Sequence, residues 1–310
     1  MARKTVDVLA PGVLFHKDRR IDSSDGATLH YAFLGPDDGP LVALVSGFLC
    51  PDTWWRLLVP ALVDHGYRVL VFHYRGIALS TLPPAIDSET FSIPRFARDL
   101  VEICDHEELE SVSLVGHSMG TQVMLEAFDM LRGRVPCMVS VTGPYASPIK
   151  TLWERPWLGA AIYEPVRLGA MLVAPPLLRL GWKLATTYVP GLPVARMLGV
   201  LGERSTDELV MSYVEHLATM DPHVARRVAA GMHAHSAEEL LADVDVPTLV
   251  IVGGRDPWSP PAIGRHMVDV MPDASLRLVP HGTHGTILEF PEQVNGWILD
   301  HLDRGLSKDA

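Results

Sequence analysis

The chain has 310 residues, of which 48% are hydrophobic and 20% are charged, and its formal net charge is −11. A chain of this length and composition can bury a large core, which excludes a disordered protein. Acidic residues are spread along the sequence and no Lys- or Arg-rich run is present. Because a negative surface repels phosphate backbones, we expect no nucleic-acid partner.

Compartment and membrane topology are also constrained by composition. Cys50, Cys104 and Cys137 are too few and too widely spaced for a disulfide framework. No unbroken apolar segment follows Met1, so we expect no secretory signal. The longest apolar stretch in the middle of the chain, 168–178, has 11 residues and includes two prolines, which is too short to span a bilayer. We expect a cytoplasmic protein, and the sequence makes no prediction of its oligomeric state.

The chain begins with a predicted antiparallel hairpin, whose strands 20–22 and 28–34 flank a Ser-Asp-Gly turn. Short apolar segments rich in β-branched residues then predict buried strands, and helical segments separate them. This alternation is typical of an α/β fold, a mostly parallel sheet with helices on both faces. The predicted strands are 41–45, 68–72, 111–115, 137–141, 248–252 and 275–279, and the predicted helices are 54–65, 93–106, 121–132, 262–271 and 291–306.

The alternation of strands and helices stops between residues 145 and 242. This stretch is apolar, has a helical pattern and is interrupted by many prolines. We therefore predict a helical insertion over 145–242 between two parts of one core domain, 1–144 and 243–310.

A candidate nucleophile lies where the predicted strand 111–115 leads into the next helix. Residues 116–120, Gly-His-Ser-Met-Gly, match the G-x-S-x-G pattern of a nucleophile elbow. In such an elbow the serine occupies a strained turn, and the residues two before and two after it must be small. Gly116 and Gly120 meet this need, and the helix N-terminus behind Ser118 favours negative charge. An ordinary glycine-rich turn would have the same pattern, so this alternative stays open.

A serine hydroxyl needs a general base, and the base needs an acid that orients it. The buried strand 248–252 leads through two glycines to Asp256, at the sheet edge where α/β folds bind ligands. A solvated turn aspartate is the alternative. The loop after the last strand offers His281 and His284. His284 is followed five positions later by Glu289, which resembles the closing motif of α/β-hydrolases and favours His284.

With these motifs in the order Ser, Asp, His, the chain resembles the α/β-hydrolase superfamily over residues 20–145 and 240–305. It is most similar to esterase- and lipase-like serine hydrolases with a cap. The resemblance implies an α/β-hydrolase fold in which the insertion is the cap. It also implies that Ser118 attacks, that His284 takes and returns the proton, and that Asp256 orients His284.

The resemblance further implies an oxyanion hole formed by the backbone N–H groups of Phe48 and Met119. Relatives usually have His-Gly before the first donor, whereas this chain has Ser46-Gly47. We assign Gly47, His117 and Trp258 to substrate binding.

A second departure from the family pattern lies in residues 73–80. His73 replaces the usual Asp, and Ala78 replaces the usual Gly. We predict that Arg75 and Ser80 fix this loop beneath the site. The alternative is that His73 faces the pocket.

The apolar insertion indicates a small-molecule substrate with a hydrophobic group. We predict hydrolysis of a carboxylic ester through an acyl-enzyme, with no metal and no cofactor. The pair His233 and His235 lacks nearby Cys or Asp ligands, so a metal site there is disfavoured. Thioesterases, amidases, C–C bond hydrolases and cofactor-free perhydrolases can share this triad. A non-catalytic ligand-binding relative and peripheral membrane contact through the cap are further alternatives.

Overall fold

A computed structural model describes residues 14–50, 52–150, 157, 161, 165, 175–188, 191–202 and 204–306. Its strands are β1 (Arg19–Asp22), β2 (Thr28–Leu34), β3 (Leu41–Val45), β4 (Arg68–Phe72), β5 (Ser113–His117), β6 (Met138–Val141), β7 (Thr248–Gly253) and β8 (Ala274–Val279). Its helices are α1 (Leu58–Asp64), α2 (Ile93–His106), α3 (Met119–Met130), α4 (Pro175–Tyr188), α5 (Gly191–Met197), α6 (Asp207–Thr219), α7 (Pro222–Ala234), α8 (Pro261–Val270), α9 (Thr286–Glu289) and α10 (Pro291–Leu306).

The strands form one 8-stranded sheet in the order β1-β2-β4-β3-β5-β6-β7-β8. Strands β3 to β8 run parallel, and the hairpin of β1 and β2 pairs antiparallel at one edge. The central strands β5 and β7 are buried along their whole length, which explains their unbroken apolar sequences. The predicted mostly parallel sheet with an antiparallel edge hairpin is therefore confirmed.

Helices cover both faces of the sheet and enclose two separate cores. One core packs α2, α3 and α8 against the sheet, with Phe96, Val123 and Met267 among its buried residues. The other packs α1 and α10 against the opposite face, with Leu58 and Ile298 among its buried residues. This two-faced burial holds the carboxyl ends of the parallel strands at a single edge.

Some predicted element bounds differ from the structure, and the differences have local causes. Strand β5 covers Ser113–His117 instead of 111–115 because its ladder continues until His117 pairs with Val141. The next helix begins at Met119 instead of residue 121 because the chain turns at Ser118. The helix predicted over 54–65 is divided into a 3-10 helix, Asp52–Trp55, and α1.

The predicted insertion contains α4 to α7 in its described part. The chain leaves and re-enters the core at one neck, where Ala146 and Ser236 form an isolated antiparallel bridge. At the same place the N–H of Ala237 donates to the carbonyl of Tyr145 over 2.8 Å. The division into core and insertion stays a prediction, and this neck lies near its boundaries. In the part of the chain that the structure describes, no helix has both the length and the apolarity to cross a bilayer.

Candidate active site

Ser118 lies in a sharp turn between β5 and α3. Its φ is 54° and its ψ is −124°, a backbone conformation that L residues rarely adopt. A Cβ atom on Gly120 would lie 1.9 Å from the carbonyl oxygen of Val45, and one on Gly116 would lie 2.8 Å from the carbonyl oxygen of Gly120. Both positions therefore require glycine, as the elbow pattern predicts. The turn leaves Ser118 only partly buried, so its hydroxyl is accessible.

Ser118, His284 and Asp256 form a continuous hydrogen-bonded chain. The Oγ atom of Ser118 lies 2.8 Å from Nε2 of His284, and Nδ1 of His284 lies 2.9 Å from Oδ2 of Asp256. The other carboxylate oxygen of Asp256 accepts the backbone N–H groups of Trp258 and Ser259 over 2.8 Å and 3.1 Å. Because the carboxylate can only accept, Nδ1 of His284 carries the proton and Nε2 is free to accept from the serine.

The structure brings together the three residues that the sequence placed in a triad, whereas His281 is exposed on the surface of the same loop. The side chains of Asp256 and His284 are buried. Burial excludes water from the hydrogen-bonded chain and strengthens its electrostatic interactions. The arrangement can therefore transfer a proton from Ser118 to His284 and stabilise the imidazolium that results.

Two buried side chains hold the main-chain carbonyl of His284. The Oγ1 of Thr142 donates to it over 2.9 Å, and Nε2 of His117 lies 3.2 Å from it and donates its N–H. Burial, followed by the proximity of His284, lowers the pKa of His117 to about 3. A neutral His117 has one N–H, and this contact uses it.

The ring of His117 also stacks on Trp54, with ring centroids 4.4 Å apart. These contacts orient the base from behind. The substrate-binding role assigned to His117 stays a prediction. Thr142 was missed from the sequence, where a threonine after a buried strand has no distinguishing pattern.

The loop 46–48 lies directly against the nucleophile. A Cβ atom on Gly47 would lie 3.0 Å from Cβ of Ser118 and 2.9 Å from Nδ1 of His117, so the position needs glycine. Although the usual histidine is missing, Ser46 anchors the loop: its Oγ accepts from Nε1 of Trp55 over 2.8 Å, and its carbonyl accepts from the hydroxyl of Tyr74 over 2.9 Å. These two contacts hold the loop in place.

A short segment of the insertion, 198–202, packs on the loops that carry Asp256 and His284. The N–H of His284 donates to the carbonyl of Gly199 over 3.1 Å. Nε1 of Trp258 donates to the carbonyl of Leu198 over 2.8 Å. Through these contacts the segment 198–202 fixes the positions of both loops.

Glu289, from the predicted closing motif, joins the same segment to the histidine loop. It accepts the N–H of Gly202, and it accepts the N–H of Thr283 over 2.9 Å and the hydroxyl of Thr283 over 2.5 Å. One buried carboxylate thus ties the residue before His284 to the insertion. This explains why a glutamate follows the histidine at this spacing.

The segment 73–80 is structural, as predicted. The guanidinium of Arg75 is completely buried and lies 2.5 Å from Asp99, with a second ion pair to Asp25. The hydroxyl of Ser80 donates to the carbonyl of His73 over 2.8 Å. His73 itself is buried, and its Nε2 lies 3.3 Å from Oδ1 of Asp52. His73 was the alternative candidate for the pocket, and its side chain is instead buried against Asp52.

The two histidines of the His-Ala-His segment have different partners. Nδ1 of His233 lies 3.2 Å from Oγ of Ser147, and Nε2 of His235 lies 2.7 Å from Glu126. Burial lowers the pKa of His233 to about 4. No group of three or more His, Cys, Asp or Glu among the described residues could hold a metal ion.

Comparison with known proteins finds relatives of this chain and solved structures with the same fold. A sequence profile described as alpha/beta hydrolase fold matches residues 39–160. RutD of Variovorax paradoxus is 27% identical over 280 residues, which are 89% of this chain and 96% of that protein. The name of that relative describes a proposed carbamate hydrolase. Epoxide hydrolase A of Mycobacterium tuberculosis is 34% identical over 125 residues, covering 40% of this chain and 38% of that protein.

Solved structures have the same fold. An esterase from Thermogutta terrifontis superposes with a TM-score of 0.71 at 23% identity, covering 93% of this chain and 99% of the other. An enol-lactonase from Burkholderia xenovorans LB400 superposes with a TM-score of 0.71 at 17% identity, covering 92% of this chain and 100% of the other. At these identities the likeness concerns the fold.

Proposed function

The chain belongs to the α/β-hydrolase superfamily, and we propose that it is a serine hydrolase that cleaves carboxylic esters with a hydrophobic acyl or alcohol group. One observation supports this proposal above all others: the 2.8 Å contact between Ser118 Oγ and His284 Nε2 at the top of a strained elbow. A serine in this geometry is activated by its neighbour and is accessible to a substrate carbonyl.

In the proposed reaction Ser118 Oγ attacks the ester carbonyl carbon while its proton moves to Nε2 of His284. The charge on the imidazolium is stabilised by Asp256, 2.9 Å from Nδ1. The carbonyl oxygen becomes an oxyanion, for which we propose the N–H groups of Phe48 and Met119 as donors. The N-terminus of α3 adds a favourable partial positive charge.

Collapse of this intermediate breaks the bond to the alcohol, which takes the proton from His284 and leaves an acyl group on Ser118. A water molecule then gives its proton to His284 and attacks the acyl carbon. The second intermediate releases the carboxylic acid and returns the proton to Ser118. In acylation and in deacylation the proton moves between the reacting oxygen and Nε2 of His284, so the residues need no large movement between the two half-reactions.

The chemistry of a serine nucleophile disfavours epoxide opening, although one relative is named for that activity. Attack of a serine oxygen on an epoxide carbon would give an alkyl ether. An ether has no carbonyl for water to attack, so the enzyme would not turn over. An ester, a lactone or a carbamate instead gives an acyl or carbamoyl enzyme that water can cleave.

The sequence of the insertion supports a hydrophobic substrate. Residues 158–201 are rich in Leu, Ala, Val and Met and contain few charges, as is typical of segments that line apolar ligand sites.

A panel of p-nitrophenyl esters from acetyl to dodecanoyl, with a phenyl carbamate and a thioester, tests this proposal. We expect kcat/KM to rise from short to medium or long acyl chains, and Ser118→Ala to abolish all hydrolysis. Activity confined to the acetyl ester, or a preference for the carbamate or thioester, would contradict the proposed substrate class.

A further inference from the structure

A buried charged cluster lies outside the triad and close to the loop 46–48 along the chain. It consists of Lys17, Asp52 and His73, each of which is at most 6% exposed. Nζ of Lys17 donates to Oδ2 of Asp52 over 2.6 Å, and Nε2 of His73 lies 3.3 Å from Oδ1 of the same carboxylate. Removing two opposite charges from water costs about as much free energy as their attraction returns. Stability alone therefore does not explain the cluster.

The carboxylate of Asp52 joins separate parts of the chain. Besides Lys17, its Oδ2 accepts the backbone N–H groups of Leu14 and Phe15 over 3.1 Å and 3.2 Å. Burial raises the pKa of Asp52, but the contacts with His73 and Lys17 outweigh burial and hold this pKa at about 2. Asp52 is thus ionised at neutral pH and ties the N-terminal segment and the loop of His73 to its own backbone.

The backbone that Asp52 holds carries two tryptophans of the active site. Asp52 is the first residue of the buried 3-10 helix that ends at Trp55. Nε1 of Trp55 donates to Oγ of Ser46 in the loop 46–48. The ring of Trp54 stacks on His117, which holds the carbonyl of the catalytic histidine. One short 3-10 turn therefore supports both the loop 46–48 and the base.

The chain between the loop 46–48 and this turn is strained. Leu49 has a φ of 49°, in the left-handed region that a leucine rarely adopts, and its side chain is buried. Such a conformation persists only where the surrounding contacts determine it. The contacts of Ser46 hold the chain on one side of Leu49, and those of Asp52 hold it on the other side. If the Asp52 contacts are removed, we expect Leu49 to relax and the N–H of Phe48 to shift.

We propose that Asp52 is a positioning residue for the oxyanion hole: its buried contacts fix the 3-10 turn, and the turn fixes the loop 46–48 beside Ser118. This inference rests on the proposed function, in which the N–H of Phe48 stabilises the oxyanion. Asp52 acts through the loop and not on the substrate. Because the oxyanion forms only in the transition state, loss of Asp52 should lower kcat and change KM little.

Hydrolysis of a p-nitrophenyl ester and inhibition by phenylboronic acid test the effect on catalysis. The boronic acid adds to a serine oxygen as a tetrahedral anion and so resembles the transition state. Asp52→Ala should lower kcat roughly 30-fold or more, with KM changed by less than about threefold, and should raise the Ki of the boronic acid by a factor similar to the loss in kcat. Asp52→Asn keeps an oxygen that can accept N–H groups, so its kcat should fall less, by roughly threefold or more.

The matched control is Glu107→Gln, which removes another carboxylate that is tied to a cation and a hydroxyl. Glu107 contacts Arg19 and Tyr31 and lies near the amino ends of β3 and β4, at the edge of the sheet opposite the triad. We expect this variant to unfold at a lower urea concentration than the wild type while its kcat and its Ki stay unchanged. The control separates a general loss of stability from a displaced loop.

Hydrogen exchange followed by mass spectrometry measures the loop itself and needs no activity. Peptides over residues 44–50 should exchange faster in folded Asp52→Ala than in the wild type, and at the wild-type rate in Glu107→Gln. Urea unfolding verifies that each variant is folded, and Asp52→Asn provides the test if Asp52→Ala does not fold.

Two results would overturn the proposal. One is wild-type exchange of residues 44–50 in a folded Asp52 variant, and the other is a variant whose kcat and Ki match those of the wild type. A wild type that hydrolyses no ester would instead refute the proposed function, and the exchange of residues 44–50 would still decide whether Asp52 holds the loop.

Discussion

The buried ring of His117 makes the stability of this fold depend on pH. Its pKa is lowered from 6.5 to about 3 because burial, and then the nearby His284, disfavour the charged ring. In the unfolded chain His117 takes up a proton near pH 6.5, whereas in the folded chain it stays neutral until about pH 3. The unfolded state therefore binds more protons in this window, and stability falls as the pH is lowered through it.

The magnitude of this loss of stability follows from the part of the pH range that lies between the two pKa values of His117. Between pH 7 and pH 4.5 the His117 contribution to the free energy of unfolding falls by about 2.5 kcal/mol, at 1.36 kcal/mol per pH unit. Replacement of His117 by glutamine removes the titrating group and keeps an N–H that can reach the carbonyl of His284. Over the same pH range the free energy of unfolding of the variant should fall by about 2.5 kcal/mol less than that of the wild type.

Urea unfolding followed by tryptophan fluorescence at several pH values between 7 and 4.5 measures both curves. Other histidines with lowered pKa, such as His73 and His233, are common to both proteins, so their contributions cancel in the difference. Parallel curves for the wild type and His117→Gln would refute the reasoning.

Three further substitutions test the elbow and its support. Gly120→Ala places a methyl group against a main-chain oxygen and should lower the free energy of unfolding in urea by about 3 kcal/mol or more. The control is Gly296→Ala in α10, where the added methyl group meets no atom within 4 Å and should raise the free energy of unfolding by up to about 1 kcal/mol. Equal effects of the two substitutions would contradict the close approach at Gly120. Asp256→Asn should lower kcat by about 10⁴-fold with little change in KM, because the imidazole loses its orienting carboxylate; a loss confined to KM would argue against that role. Glu289→Gln should lower both the unfolding free energy, by about 1–3 kcal/mol, and kcat, because the histidine loop loses its tie to segment 198–202; unchanged kcat in a destabilised protein would make Glu289 purely structural.

The elements that place the triad were predictable because their sequences are locally distinctive. Buried parallel strands are short apolar runs, and Ser118 and Asp256 each follow such a run at its carboxyl end. The predicted burial of strand 275–279 was wrong, because the strand before His284, β8, lies at the sheet edge and only Val279 of it is buried. Glycine at positions 116 and 120 has a steric cause that the structure makes explicit. The order of the three motifs along the chain therefore agrees with the positions of their residues in the fold.

The contacts that support the triad were not predictable, since they join residues far apart in sequence. Thr142 reaches the carbonyl of His284, 142 residues away. The carbonyl of Leu198 accepts from Trp258, 60 residues away. Ser46 stands where relatives usually have histidine, and only the contacts from Trp55 and Tyr74 explain how its loop is held. Such contacts depend on tertiary packing and have no local sequence pattern.

The central claim is that Ser118 is the nucleophile, and intact-protein mass spectrometry after treatment with a fluorophosphonate tests it most directly. We predict one phosphonyl adduct on the folded wild type, mapped to Ser118 by peptide sequencing, and the same adduct on Ser88→Ala, which alters an exposed serine far from the elbow in sequence. Ser118→Ala and the heat-denatured protein should stay unlabelled. An unlabelled wild type, or an adduct that persists in folded Ser118→Ala, would contradict the account.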